Sequence, residues 1–162
     1  MIVFMFLAAY LLVAGGAVWL STIRFVYAVP ALLLAGVLMH ALAMISHEAV
    51  HRKLSESRAW NEILGTLVGT LMLTPISLYR HVHLSHHRSL GRHRDLELWP
   101  YVDANCSRGF RRAWLALDAC ATVLSTALLF ARAAALSRID DATRQRIYFE
   151  SAGALGWLGV LV

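Results

Sequence analysis

Residues 1–20, MIVFMFLAAYLLVAGGAVWL, carry no charged side chain and decide the class of fold. An α-helix needs about 20 predominantly apolar residues to cross the hydrocarbon core of a bilayer. The stretch has this length, and it lacks the basic beginning and the shorter apolar centre of a secretory signal peptide. It therefore predicts a retained membrane helix.

The composition of the whole chain agrees with this prediction. Its 162 residues are 59% hydrophobic, and the mean hydropathy is +0.59. Soluble domains are about 45–50% apolar, so this chain is too apolar for a soluble domain of its size. We expect an all-α integral membrane protein with about three to four transmembrane helices.

Further apolar runs place the other helices. Residues 25–46 follow the short break STIR and form a second predicted span, residues 113–133 form a third, and residues 151–162 begin another. The run 63–73 has about eleven residues, too few to span, and is predicted to be interfacial or re-entrant. Residues 137–150 are predicted to be a polar connection.

The charge of the chain follows from its topology. The chain has 15 Lys and Arg against 10 Asp and Glu, and ten of the basic residues lie between Arg52 and Arg112. Basic residues concentrate in cytoplasmic loops of membrane proteins, so this polar region is predicted to face the cytoplasm. The charge therefore needs no nucleic-acid partner. Cys106 and Cys120 are isolated and fit a reducing compartment.

Two tight groups of histidines stand out in this polar region. HEAVH contains His47 and His51, and HLSHH contains His83, His86 and His87. Residues three or four apart share one face of a helix, so each group would direct its imidazoles to one side. A buried imidazole with unsatisfied nitrogens costs a few kcal/mol, and metal binding removes this cost. All-imidazole sites suit iron, zinc, copper or nickel.

Two kinds of metal chemistry remain open from the residues. HEAVH satisfies the zinc metalloprotease pattern HExxH, with His47 and His51 as ligands and Glu48 as general base. At the end of a membrane helix it resembles the intramembrane site-2 proteases, whose further aspartate would be Asp118 here. This interpretation leaves the second histidine group unexplained. Alternatively, both groups together hold two metal ions that keep open coordination positions, which suits oxygen-activating iron.

The paired motifs carry a resemblance to a known family. HEAVH matches a first histidine box, HxxxH, and HLSHH matches a second, HxxHH. In these boxes, their spacing and the two spans before them, the chain resembles the membrane fatty acid desaturases, over roughly residues 25–105. The alkane, fatty-acyl and carotenoid hydroxylases and ketolases are relatives of these enzymes.

The resemblance implies a fatty acid desaturase that uses O2 and two non-haem iron ions to introduce a double bond into an acyl-lipid or acyl-carrier chain. It implies a ferredoxin or cytochrome b5-type electron donor and a metal site on the cytoplasmic side, in a bacterial inner membrane. The implied iron ligands are His47, His51, His83, His86 and His87. The alternatives are a carotenoid or alkyl hydroxylase or ketolase, an intramembrane zinc protease, and an inactive membrane fragment.

The chain also departs from the family pattern. A third box, another HxxHH, is absent from residues 1–162, so the single desaturase-like domain is expected to be truncated and inactive by itself. Asp95 and Glu97 follow the second box where relatives carry an acidic segment. Glu48 is expected to orient a ligand imidazole. Candidate extra ligands are His40, expected to pack within a helix, and His81 and His93, expected in loops.

Overall fold

The computed structural model describes residues 2–161; Met1 and Val162, the outer ends of two predicted apolar runs, lie outside the described residues. Six α-helices make up this part of the chain, which contains no β-strand. The helices are α1 (Ile2–Ile23), α2 (Phe25–Val50), α3 (Arg58–Leu71), α4 (Ile76–Ser89), α5 (Arg108–Leu136) and α6 (Asp141–Leu161). The all-α prediction is confirmed.

Three of the described helices, α1, α2 and α5, are long and apolar enough to cross a membrane, or up to four spans exist if α3 and α4 count together as one broken span. Large apolar side chains on all three helices are exposed, including Leu12 (77%), Leu33 (69%) and Val123 (78%). Such extensive apolar exposure is unfavourable in water and favourable in lipid. The prediction of three to four membrane-spanning helices is confirmed.

The chain divides into two compact units. The first contains the residues up to Leu73 together with the end of α6 from Ala154, and the second contains Thr74–Gly153. Each unit carries one of the two histidine groups.

In the first unit, the beginning of α1, the end of α2 and α3 share a core. Buried Val3, Leu42 and Val68 lie at its centre. Asn61 of α3 is fully buried; its side-chain amide donates to the carbonyl oxygen of Ala49 (2.9 Å) and accepts the backbone N–H of Leu54 (3.1 Å). Asn61 therefore ties the end of α2 and the following loop to α3.

The helix that carries the first histidine box ends within that box. Helix α2 ends at Val50, with His51 at its C-cap. Arg52 has φ 59°, a left-handed conformation that terminates a helix. The first histidine pair consequently lies at the very end of α2.

In the second unit, α4, α5 and the first part of α6 pack together. Their shared core contains the buried side chains of Leu78, Val82, Ala133, Ile139 and Ile147. Since Leu78 and Val82 belong to α4, this core lies against the helix that carries the second histidine box. The core thereby determines which face of α4 remains for the histidines.

Helix α6 begins within the segment 137–150 that was predicted to be a polar connection; that prediction is wrong for most of the segment. Only four residues, Ser137–Asp140, separate α5 from α6. The Asp140 carboxylate accepts the backbone N–H of Thr143 (2.9 Å) and caps the first turn of α6. Ile147 supplies the buried apolar face that holds this polar stretch in a helix.

The third predicted span is one helix with an internal break that the sequence analysis did not predict. Within α5, Ala121 has φ −149° and ψ 57°, outside the helical region. The Thr122 hydroxyl donates to the carbonyl oxygen of Asp118 (2.6 Å), and the Ser125 hydroxyl donates to that of Thr122 (3.0 Å). Hydroxyls that bind carbonyls of the preceding turn compensate for backbone hydrogen bonds at such a break.

Candidate metal centre

The second histidine group lies on one face of α4, as the spacing predicted. The ring centroids of His83 and His87 are 4.6 Å apart, and those of His83 and His86 are 6.1 Å apart. His83 is buried, His86 is half-buried and His87 is exposed. The group therefore extends from the protein interior to the surface.

Two of these imidazoles each contact a carboxylate through the same ring atom, Nδ1. His83 Nδ1 lies 2.8 Å from Glu97 Oε2, and His86 Nδ1 lies 2.9 Å from Asp95 Oδ2. A carboxylate only accepts hydrogen bonds, so Nδ1 carries the proton in both rings. In the neutral imidazole this makes Nε2 the unprotonated ring nitrogen, which is the arrangement found in metal-binding histidines with a carboxylate partner.

The Nε2 atoms of His83 and His87 converge at 3.0 Å. Two imidazole nitrogens that bind one ion at about 2.1 Å, at right angles, are themselves about 3.0 Å apart. The distance and the donor set therefore fit a transition-metal ion. Imidazole ligands suit iron as well as zinc and copper, so the geometry alone does not choose the metal.

Asp95 holds the loop that presents these carboxylates. It is 1% exposed, and it accepts backbone N–H groups from Gly91 (3.0 Å), Glu97 (3.1 Å) and Leu98 (3.0 Å) besides the contact with His86. Burial raises the pKa of the Asp95 carboxyl, but the hydrogen bonds from Leu98, Gly91 and His86 together hold that pKa below its ordinary value. Asp95 is thus both a loop cap and a histidine partner.

The same loop also bonds directly to α4. The Ser85 hydroxyl accepts the backbone N–H of Leu96 (3.1 Å) and donates to the carbonyl oxygen of Val82 (2.8 Å). Asp95 and Glu97 were expected only as an acidic segment, and their hydrogen bonds to the histidines were not predicted from the sequence. Two carboxylate residues separated by a single residue, shortly after a histidine box, are the signal that would have identified Asp95 and Glu97 as partners of the histidines.

The first histidine group lies at the end of α2. The rings of His47 and His51 are 4.6 Å apart between centroids, and each offers a nitrogen within 4.8 Å of the other's. This agrees with the predicted shared face. Glu48 Oε1 lies 3.5 Å from His47 Nδ1, and the Glu48 side chain is 51% exposed. That distance is long for a hydrogen bond, so the orienting role of Glu48 stays a prediction.

The three candidate extra ligands occupy different environments. His40 lies on α2 and is exposed, and His93 is exposed in the loop after α4. His81 lies inside α4, so the prediction that it belongs to a loop is wrong. Its Nε2 lies 2.8 Å from the Ser137 hydroxyl oxygen, which connects α4 to the end of α5. A ligand role for these histidines stays a prediction.

Comparison with known proteins gives one finding. The sequence profile described as "Fatty acid desaturase" matches residues 23–162, which include both histidine groups and the loop that contains Asp95 and Glu97. No curated protein sequence and no solved structure matches the chain significantly.

Proposed function

Since the chain belongs to the fatty acid desaturase family, we propose that it is an O2-dependent oxidoreductase that desaturates a lipid acyl chain at a di-iron centre. The observation that carries the proposal is the pair of carboxylate-held imidazoles on α4, His83 with Glu97 and His86 with Asp95. This pairing is typical of metal ligands. It occurs here in a chain that the family profile matches over most of its length.

The proposed ligands are His47, His51, His83, His86 and His87. Iron at these residues would supply the activation of dioxygen that removes hydrogen from an unactivated C–H bond. Glu97 and Asp95 keep the Nδ1 protons of their histidines in place, so that both rings direct Nε2 away from the loop. His83 and His87 bring their Nε2 atoms together.

The proposal that both histidine groups serve one centre is supported by the sequence. HEAVH and HLSHH occur in the order and at the spacing of the first two family boxes, and the profile match includes both. Each group presents its imidazoles on one side of a helix end or helix face. Neither group alone supplies more than three imidazoles, so a centre in which imidazoles hold two iron ions would draw on both groups.

The surroundings of the proposed site suit a lipid substrate. Helices α1, α2 and α5 have exposed apolar surfaces that lipid would cover, and an acyl chain would enter from the bilayer. The basic residues between Arg52 and Arg112 favour a cytoplasmic location for the site, in a bacterial inner membrane. A ferredoxin or cytochrome b5-type protein would supply the electrons.

Metal analysis of the purified chain in detergent tests the metal centre. We expect iron to bind, and His86→Ala to lower the iron content strongly, because His86 is a proposed ligand. Glu56→Ala, which changes an exposed loop residue outside both histidine groups, serves as the control. Tight binding of one zinc ion that survives His86→Ala would instead support the HExxH protease.

Lipid analysis tests the reaction. We expect cells that express the full-length gene that encodes this chain to accumulate unsaturated acyl chains, and His86→Ala to abolish the change. Unchanged acyl chains with hydroxylated or oxidised carotenoids or alkanes would identify a hydroxylase or ketolase of the same superfamily. Unchanged lipids of every kind, in cells whose membranes contain the protein, would favour an inactive membrane protein.

A further inference from the structure

Helix α4 begins without a cap from its own segment. Its N-cap residue is Pro75, which makes no side-chain cap hydrogen bond. The first backbone N–H groups of any helix need partners from outside that helix. Here the Glu150 carboxylate supplies one, because its Oε2 accepts the backbone N–H of Ser77 at 2.8 Å. Its Oε1 accepts the Ser77 hydroxyl at 2.7 Å.

This contact is buried on both sides. Ser77 is 6% exposed and Glu150 is 7% exposed, although the two residues lie 73 positions apart in the sequence. A buried carboxylate is strongly unfavourable unless its oxygens accept hydrogen bonds. Both oxygens of Glu150 do so, and they lie at the positive end of α4, where the helix dipole favours an anion. The carboxylate of α6 thereby acts as the missing cap of α4.

Glu150 and the neighbouring apolar contact restrict different movements of α4. Ile147, three residues before Glu150, shares a core with Leu78 and Val82 of α4. Apolar packing keeps the helices in contact but is weakly directional, so by itself it tolerates sliding and rotation. The two hydrogen bonds from Glu150 are directional and define one position of α4 along and around its axis.

The histidines depend on that position. His83 lies six residues after Ser77, which is about 9 Å along the helix axis. His83 and His86 each meet a carboxylate of the following loop at 2.8 and 2.9 Å. Hydrogen bonds weaken steeply when stretched or misaligned, so a small slide or rotation of α4 would disturb both contacts.

We propose that Glu150 is a positioning residue for the metal centre, which fixes the register of α4 so that His83 and His86 stay aligned with Glu97 and Asp95. The inference rests on the proposed metal-binding function. Glu150 touches none of the proposed ligands in the contacts described here, and it acts through Ser77.

Hydrogen exchange measures the contact without any metal. Glu150→Ala is expected to accelerate amide exchange in residues 76–82, at the start of α4, while leaving residues 58–71 of α3 unchanged. Glu150→Gln keeps an oxygen that accepts the Ser77 N–H, so it should restore most of the protection. Gln145→Ala, an exposed change on the same helix, is the matched control.

Cobalt binding measures the consequence for the centre. We expect Glu150→Ala to weaken Co²⁺ affinity about tenfold and to alter the visible spectrum of bound Co²⁺, as loss of ligand orientation does in metal sites. Glu150→Gln should lie close to the wild type. Ser77→Ala removes only the hydroxyl bond and should have a smaller effect, and adding it to Glu150→Ala should cause no further loss.

The outcomes separate the two proposals. Unchanged exchange in α4 after Glu150→Ala would overturn the cap, and accelerated exchange with unchanged Co²⁺ affinity and spectrum would overturn the positioning role. A wild-type chain that binds neither Co²⁺ nor iron would overturn the proposed function and the positioning role with it. The cap would then still be supported by the exchange data.

Discussion

A carboxylate decides the chemistry of each key histidine on α4. Glu97 holds His83 and Asp95 holds His86, both through Nδ1, so Nε2 is the atom left for a ligand bond in both rings. Without these partners the imidazoles would exchange tautomers and rotate. The acidic residues after the second box are therefore expected to raise metal affinity without binding the metal.

Glu97→Ala tests this contribution. Removing the carboxylate frees His83 Nδ1 and should weaken Co²⁺ affinity by about tenfold, because partners of ligand histidines typically contribute 10–100-fold. Titration followed by visible absorption measures the change. Glu56→Ala, an exposed carboxylate in the loop after α2, should leave the affinity unchanged. An equal effect of both variants would contradict the assigned role of Glu97.

Asn61 holds the chain around the first histidine box through hydrogen bonds to backbone atoms of Ala49 and Leu54. Asn61→Leu would remove the side-chain acceptor of the part-buried Leu54 N–H and one of the donors to the Ala49 carbonyl, which also accepts the Arg52 N–H (3.1 Å). Because a donor that loses its acceptor costs about 1–3 kcal/mol, we expect a loss of about 1–3 kcal/mol in the free energy of unfolding. Unfolding in mixed micelles measures it. Gln145→Leu, on an exposed position of α6, should change stability by less than about 0.5 kcal/mol.

The helices depend on polar residues at their ends as much as on their apolar faces. Helix α4 receives its cap from Glu150 and α6 receives its cap from Asp140. Helices α3 and α5 follow the N-cap residues Ser57 and Ser107, whose hydroxyls accept backbone N–H groups. Each cap satisfies a donor that the helix itself leaves open. The elements therefore begin where a short polar side chain or a distant carboxylate is available.

The Asp140 cap predicts a pH dependence. The backbone N–H and the hydroxyl of Thr143 hold the pKa of the Asp140 carboxyl below its ordinary value. A lowered pKa in the folded state means that the stabilisation is present above about pH 4 and is lost as the pH falls through the lowered pKa. The thermal midpoint of Asp140→Ala should therefore lie below that of the wild type at pH 7, and the gap should narrow in acid.

Two variants control this measurement. Asp140→Asn retains a capping oxygen that does not titrate, so its thermal midpoint should not show the same loss in acid. Asp141→Ala changes the next, exposed carboxylate and should follow the wild type at every pH. A gap between wild type and Asp140→Ala that stays constant from pH 7 into acid would exclude the ionised cap.

At the scale of the whole molecule, each membrane span is formed by one continuous stretch of sequence, whereas the histidines come from two separate parts of the chain. The spans are local, since α1, α2 and α5 are each continuous apolar runs. The histidine groups belong to two separate compact units. The proposed function requires both groups to act together.

A double variant tests this joint action. His51→Ala and His83→Ala should each lower the iron content, and the double variant should lower it little further, because residues that serve one centre are strongly non-additive. Metal analysis of the four proteins gives the answer, with Glu56→Ala as control. Additive losses would show two independent sites.

The sequence by itself determined the membrane class, the helical secondary structure and the two histidine faces. These depend on runs of apolar residues and on spacings of three and four, which are properties of adjacent residues. It also located the ends of α1 and the beginning of α2 to within a few residues. It missed the helical start of α6 because polar composition outweighed the one buried face around Ile147.

Only the tertiary structure decided how the histidines are held. The partners of His83 and His86 come from a loop, His81 contacts Ser137 far along the chain, and the cap of α4 comes from Glu150. The contacts of His81 and Glu150 join residues 56 and 73 positions apart, whereas those of His83 and His86 join α4 to the loop that follows it, 14 and 9 positions on; all four depend on how these segments pack. The apolar runs of residues 1–20 and 25–46 thus indicate that the chain lies in a membrane. The polar contacts that form between packed segments determine how its histidines are oriented.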